Sequence, residues 1–255
     1  MLAGERPVVL QTRGLSKSFG ALIATKNVTM DVSKGEVVAV IGPNGAGKTT
    51  LFNLMSGVIK PTSGEILFKG ERISHLPAYE ICQRGIVRTF QITQVFPGLT
   101  ALENIRLAAQ FKQGGNFRIF GGKSVIRGTQ KRSEEILDFL GISHLSDVTA
   151  DHLSHGDQRL LELSMALVQD PEILLLDEPT AGLSVVETHK TVGVLKNVFS
   201  KSNNTILLVE HDMEVVFNLA SRIIVLNFGE IIAEGCKEDI QHNDEVQRAY
   251  LGGFE

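Results

Sequence analysis

Gly42-Pro43-Asn44-Gly45-Ala46-Gly47-Lys48-Thr49 follows the apolar run Val37-Val38-Ala39-Val40-Ile41 and precedes the helix-like Thr50-Leu51-Phe52-Asn53-Leu54-Met55. The octapeptide fits GxxxxGK[ST]. Strand, glycine-rich loop and helix in that order aim successive backbone N–H groups and a helix N-terminus at one point, which attracts a polyphosphate. Gly42, Gly45 and Gly47 let the backbone turn with positive φ and approach phosphate oxygens. Lys48 places an ammonium near the β and γ phosphates, and the Thr49 hydroxyl is a hard oxygen ligand suited to Mg²⁺. The stretch predicts nucleotide binding.

Outward from the loop, the runs at 37–41, 173–176 and 206–209 are continuously apolar, as in strands covered by helices on both faces. They read as a central parallel sheet. Helical stretches at 50–56, 158–169 and about 185–199 lie between them, so the alternation predicts a doubly wound α/β core. Residues 8–13 and 24–32 alternate as strands and 64–70 adds a short one, which suggests an antiparallel sheet beside the nucleotide loop. Residues 100–153 break the rhythm, with helices at 102–111 and 132–140 and no strong strand between. The expected organisation is one domain over 1–255: a core with its antiparallel sheet over 8–99 and 154–255, and a helical subdomain over 100–153. Inside the insertion, residues 112–132 carry glycines with Lys112, Arg118, Lys123, Arg127, Lys131 and Arg132. That stretch reads either as a solvated loop or as a basic contact with a membrane partner or anionic headgroups.

A chain of 255 residues with 43% hydrophobic residues can bury a substantial core. Its formal charge of −4 provides no basic excess, so a nucleic-acid partner is not expected. Cys82 and Cys236 lack CxxC spacing and a neighbouring His cluster, which argues against zinc and a disulfide framework and for a reducing cytoplasm. The apolar runs fall short of the ~20 residues that span a bilayer, and no signal-peptide pattern is apparent. The chain is expected neither to cross a membrane nor to be exported.

Ile173-Leu174-Leu175-Leu176-Asp177-Glu178 is an apolar strand ending in two carboxylates, which places acid at the nucleotide crevice. Asp177 suits organising Mg²⁺ through its water shell, and Glu178 suits polarising the attacking water as general base. Capping of the following turn is the plainer alternative. Leu153-Ser154-His155-Gly156-Asp157-Gln158-Arg159 opens the next helix. Ser154 and Asp157 fit a capping S/T-x-x-D/E, while a helix N-terminus with Ser and Gly is also an anion site.

In order and spacing the set resembles the ATP-binding-cassette (ABC) ATPases, P-loop NTPases of ABC type. Residues 42–49 resemble the Walker A loop, 153–158 the family signature and 174–178 the Walker B strand. Gln91 resembles the Q-loop glutamine, His211 the switch histidine, Ala181-Gly182-Leu183-Ser184 the D-loop, and Phe19 the aromatic residue that stacks on adenine. The resemblance implies ATP and Mg²⁺ as ligands. It implies catalytic roles for Glu178, His211, Gln91 and Lys48, and metal contacts from Thr49, Gln91 and Asp177. It implies nucleotide contacts from Phe19, Gly42, Pro43, Asn44, Gly45, Ala46, Gly47, Lys48, Thr49 and Thr50, and through the signature from Ser154, Gly156 and Asp157. It also implies a head-to-tail pair of cassettes, each signature completing the other's γ-phosphate site. Two departures stand out: His155 and Asp157 replace the commonest Gly and Gln of the signature, and Ser184 replaces the usual Asp.

Residues 85–91, 153–159 and 210–216, with the Gly-rich insertion and Ala249-Tyr250-Leu251-Gly252, are similar to the ATPase subunits of branched-chain amino acid importers. That resemblance implies two integral membrane permease subunits docking near residues 91–100, a second ATPase subunit (itself or a paralogue), an extracytoplasmic solute-binding protein acting indirectly, and a cytoplasmic place at the inner face of the membrane. Importers of urea, short amides or other amino acids are the alternative. A soluble non-transport cassette lacks support because no coiled coil, zinc-binding cysteines or second cassette appears. A plain P-loop kinase or GTPase would leave residues 153–159 and His211 without a role.

Overall fold

A computed structural model describes residues 6–89, 95–112, 123–201 and 204–251. The chain begins with β1 (Val8–Phe19) and β2 (Leu22–Ser33), an antiparallel hairpin with several register shifts, followed by β3 (Val37–Ile41), α1 (Lys48–Met55), β4 (Ser63–Phe68) and β5 (Glu71–Arg72). Next come α2 (Ala78–Arg84), β6 (Ile86–Arg88), α3 (Ala101–Lys112), α4 (Lys123–Phe139), α5 (His155–Leu167) and β7 (Ile173–Asp177). The remainder is α6 (Val185–Lys201), β8 (Thr205–Val209), α7 (Met213–Leu219), β9 (Arg222–Asn227), β10 (Glu230–Gly235), α8 (Lys237–Gln241) and α9 (Asp244–Leu251). Two sheets result, in the orders β2-β1-β4-β5 and β10-β9-β3-β8-β7-β6. The second is parallel from β9 to β6, and β10 is its antiparallel edge.

Alternate residues of the parallel strands face opposite sides of the sheet, and both sides are buried. Ala39, Ile41, Leu174, Leu176, Ile206 and Leu208 join one core with side chains of α3 to α7, including Ile105, Leu137, Leu161, Leu195 and Val216. Val38, Val40, Ile173, Leu175, Leu207 and Val209 join the other. There the cover is α1, through Leu51, Phe52, Leu54 and Met55, together with the inner face of the antiparallel sheet, through Leu10, Leu15, Val28, Met30 and Ile66. Helices therefore lie on both faces as expected, and on this side the antiparallel sheet shares the cover with α1. The alternating strands β1, β2 and β4 each carry an apolar face that must be buried, and the open side of the parallel sheet accepts it.

The C-terminal hairpin completes the frame. Phe228 (φ 45°) and Gly229 (φ 81°) form a two-residue turn with positive φ at both positions, which β9 and β10 require to twist together. The Gly229 N–H donates to the Ala46 carbonyl (3.0 Å) and its carbonyl accepts from Lys26 (2.8 Å), so the turn joins the phosphate loop to β2. Arg222 binds both oxygens of Glu36 (2.6 and 2.9 Å), the Asp31 carbonyl (2.7 Å) and Glu234, fixing the two sheets to each other. In the insertion, α3 and α4 pack on each other and on α5, and Thr100 bridges Thr149. Part of the basic stretch read as a loop is helical, since α4 begins at Lys123; residues 113–122 lie outside the described part. No helix among the described residues is long and apolar enough to cross a membrane.

Phe52 is fully enclosed where α1 meets both sheets. Replacing it with Ala should cost about 3–5 kcal/mol in denaturant unfolding through lost transfer energy and the cavity left behind. A loss below about 1 kcal/mol would show that the ring does not anchor α1.

Candidate nucleotide-binding site

The phosphate loop is wedged between two backbones. Gly42 has φ 150°, and a Cβ there would stand 2.1 Å from the Leu226 carbonyl oxygen of β9. Gly47 has φ 103°, and its Cβ would stand 2.3 Å from the Ala24 carbonyl oxygen of β2. Only glycine meets both demands. Pro43 accepts from the Ala46 N–H (3.1 Å), which tightens the loop around Asn44 and Gly45, both exposed. Gly47 caps α1 with no side-chain acceptor, so the first N–H groups of the helix are left for an anion. Thr49 is exposed at that terminus and Thr50 half-buried.

The Lys48 side chain is buried, and its ammonium donates to the carbonyls of Gly42 (2.7 Å) and Pro43 (3.0 Å). Burial pushes its pKa down, while the carboxylates of Glu178 and Asp177 act in the opposite direction. That coupling places the loop and the end of β7 in one electrostatic site. Asp177 is 2% exposed and pairs through Oδ2 with Arg88 (2.6 Å), whereas Oδ1 is enclosed without a partner among the described residues. An enclosed carboxylate oxygen with no donor, beside a loop offering Thr49, fits a hydrated Mg²⁺. This ion is commonly held by one or two protein oxygens plus phosphates. Consistent with so sparse a donor set, the described residues contain no cluster of three or more His, Cys, Asp or Glu able to hold a metal.

Glu178 has φ 50°, a costly backbone for a non-glycine residue that survives only where the surroundings fix it. Its N–H donates to the Val209 carbonyl (2.9 Å), and its Oε1 lies 2.9 Å from the His211 Nε2. Glu210 holds this geometry from below. It is buried, accepts from the Thr180 N–H (2.9 Å) and hydroxyl (2.6 Å), and accepts from the His211 N–H (3.2 Å). One carboxylate thus clamps the turns bearing Glu178 and His211, and burial raises its pKa despite those bonds.

Phe19 ends β1, half exposed, opposite Leu22 in the hairpin whose second strand touches Gly47. Its ring is open to a stacking partner and carries Lys17 at 5.1 Å. Gln91 lies outside the described residues. The remaining nucleotide candidates form a second cluster. Ser154 caps α5, accepting from the Asp157 N–H (3.1 Å) as the capping motif demands, while Asp157 Oδ2 accepts from the Ser154 hydroxyl (2.8 Å). Lys190 of α6 balances Asp157 (3.1 Å), so the unusual carboxylate is not isolated. Glu187 accepts from the Ser184 N–H (3.0 Å) and hydroxyl (2.7 Å), and those bonds hold its pKa down. Ser154 and Asp157 bond each other and Lys190 of α6, while Glu178 meets His211, Lys48 meets the Gly42 and Pro43 carbonyls, and Asp177 meets Arg88. Arg88, Glu210 and Glu187 were not singled out from the sequence. Each is an ordinary charged residue whose partners become visible only in the fold.

Residues 25–181 match the ABC transporter family. The chain is 40% identical to the high-affinity branched-chain amino acid transport ATP-binding protein LivG of Escherichia coli (strain K12) over 253 residues, covering 96% of this chain and 98% of the relative. Among solved structures it resembles the ADP conformation of an ATP-binding cassette of an ABC transporter, with TM-score 0.84, 32% identity and coverage of 96% and 99%. It also resembles a dimeric, post-hydrolysis ATP-binding cassette bound to ADP and Pi, with TM-score 0.76, 30% identity and coverage of 89% and 98%. A phosphate loop without room for a Cβ, facing a Glu–His pair at the ends of parallel strands, together with these matches, establishes that the chain belongs to the ABC transporter family as an ATP-binding cassette ATPase.

Proposed function

We propose that this ATPase drives import of branched-chain amino acids, working as a head-to-tail pair in which one copy's phosphate loop is completed by the other's Ser154 and Gly156. The observation that carries the catalytic part is the 2.9 Å contact between Glu178 and His211 at the end of the parallel sheet. Support for the cargo comes from relatives named for branched-chain amino acid transport, and for the pairing from the resemblance to a dimeric cassette.

In this reading residues 42–50 cradle the triphosphate, Lys48 leaves its carbonyl partners for phosphate oxygens, and Phe19 stacks on the base. Thr49, Asp177 and Gln91 would hold magnesium, which would supply charge neutralisation to the phosphates. Glu178 accepts the proton of the attacking water, and His211 on its Oε1 fixes the carboxylate in place. Asp157 caps the signature helix, and Lys190 neutralises it so that its charge repels the partner's phosphate less. Residues 100–153 form the helical subdomain. Two integral membrane permease subunits dock in the groove between the sheet and this subdomain, near residues 91–100, and an extracytoplasmic solute-binding protein supplies them with cargo. The ATPase then sits in the cytoplasm, peripheral on the inner face of the membrane.

Glu178→Gln should retain ATP binding, lower hydrolysis by about 10²-fold or more and accumulate an ATP-bound dimer in sedimentation velocity. Normal turnover in that variant refutes the base assignment. Lys48→Ala should weaken ATP binding by about 10–100-fold in calorimetry, and an unchanged titration removes its phosphate contact. His211→Ala should reduce kcat by about tenfold or more with Kd for ATP nearly unchanged, and an unaltered kcat excludes it from the site.

A further inference from the structure

Arg88 closes β6, and its guanidinium is enclosed with only 5% of the side chain exposed. Nη2 donates to Asp177 Oδ2 (2.6 Å), while Nη1 donates to Asn53 Oδ1 (2.6 Å) and Ser56 Oγ (3.2 Å). The cation also lies 5.8 Å from the centroid of the Phe52 ring. Those named partners come from two places: α1, which starts at the phosphate loop, and the last residue of β7. Desolvating both ions costs several kcal/mol each, so such a pair is poor evidence for stability alone.

The way Asp177 is held differs from the way Glu36 is held by Arg222. Arg222 takes both oxygens of Glu36, at 2.6 and 2.9 Å, and leaves that carboxylate with nothing to offer. Arg88 takes Oδ2 of Asp177 alone, and Oδ1 remains enclosed without a partner among the described residues. An unsatisfied buried acceptor is costly, unless a ligand meets it. Because Asn53 and Ser56 occupy the other nitrogen and Phe52 backs the plane, the guanidinium cannot swing to cover Oδ1. The carboxylate is thereby held by one oxygen, and the other stays enclosed without a donor among the described residues.

We propose that Arg88 is a positioning residue that holds Asp177 by one oxygen so that the other meets the hydrated magnesium of the bound nucleotide. This rests on the assignment of Asp177 to the magnesium side of the proposed function. Partners that orient a metal-binding group in this way are commonly worth about 10–100-fold in metal affinity.

The test is calorimetric titration of the full chain with the non-hydrolysable analogue AMP-PNP, once with excess Mg²⁺ and once with EDTA, reading the gain in affinity that magnesium confers. Arg88→Met should lose about tenfold or more of that gain while its metal-free affinity stays within about threefold of the unsubstituted protein. Arg88→Lys should recover part of it, and Asp177→Asn should lose it as fully as Arg88→Met. The full magnesium gain in Arg88→Met alongside its loss in Asp177→Asn overturns the inference, as does an equal loss with and without metal, which marks a structural role only. If Asp177→Asn keeps the gain, the assignment of Asp177 fails and takes the inference with it. Should Arg88→Met not fold, Asn53→Ala removes one anchor and leaves the ion pair. It should lose about threefold of the gain, and its full retention overturns the proposal.

Discussion

The parallel register of β3, β8 and β7 is the constraint on which the rest depends. It sets Val40 beside Val209 and Val209 beside Asp177, so three strands end on one line. The segments that leave these strands must then share one small space: the phosphate loop after β3, Glu210 and His211 after β8, and Glu178 after β7. Backbone conformation meets that crowding. Gly42 and Gly47 give up a Cβ to fit between β9 and β2, and Glu178 takes a positive φ to bring its side chain against His211. The apolar cores on both sheet faces hold these positions, since no side chain there can relax without opening a cavity.

Around that line, buried charge does the orienting. Glu210 ties the Thr180 turn to the His211 backbone, and Arg88 ties Asp177 to α1. The signature cluster is organised differently, by exposed or half-buried side chains at the starts of α5 and α6: Asp157 with Lys190, and Ser184 with Glu187. Glu187 is a carboxylate on a helix N-terminus, a position that the dipole favours for any anion. The substitution of Ser184 in the D-loop and Asp157 in the signature is thus balanced by neighbours from the first turns of α6.

Much of this was legible from local sequence. The five-residue run at Val37–Ile41 became β3 without change, and Ser154 capped α5 as its spacing with Asp157 required. Strand β6 is three residues long, too short for any periodicity, and the half-buried β10 gives only a weak pattern. The run Ile223-Ile224-Val225-Leu226 in β9 was as readable as its neighbours, and its hairpin signal is Gly229. Covering the second face with an antiparallel sheet depends on pairings such as Leu10 with Phe68, which no local window contains. The same holds for Arg88 and Asp177, 89 positions apart, and for Thr180 and Glu210, 30 apart.

In the proposed pair each hydrolytic site is shared, with the loop of one copy finished by Ser154 of the other. Mixing a Lys48→Ala chain with a Ser154→Ala chain tests it most directly, because a pair formed from one of each contains one site with both elements intact. The account predicts an ATPase rate in the mixture well above the sum of the two variants measured alone. A rate equal to that sum would contradict it.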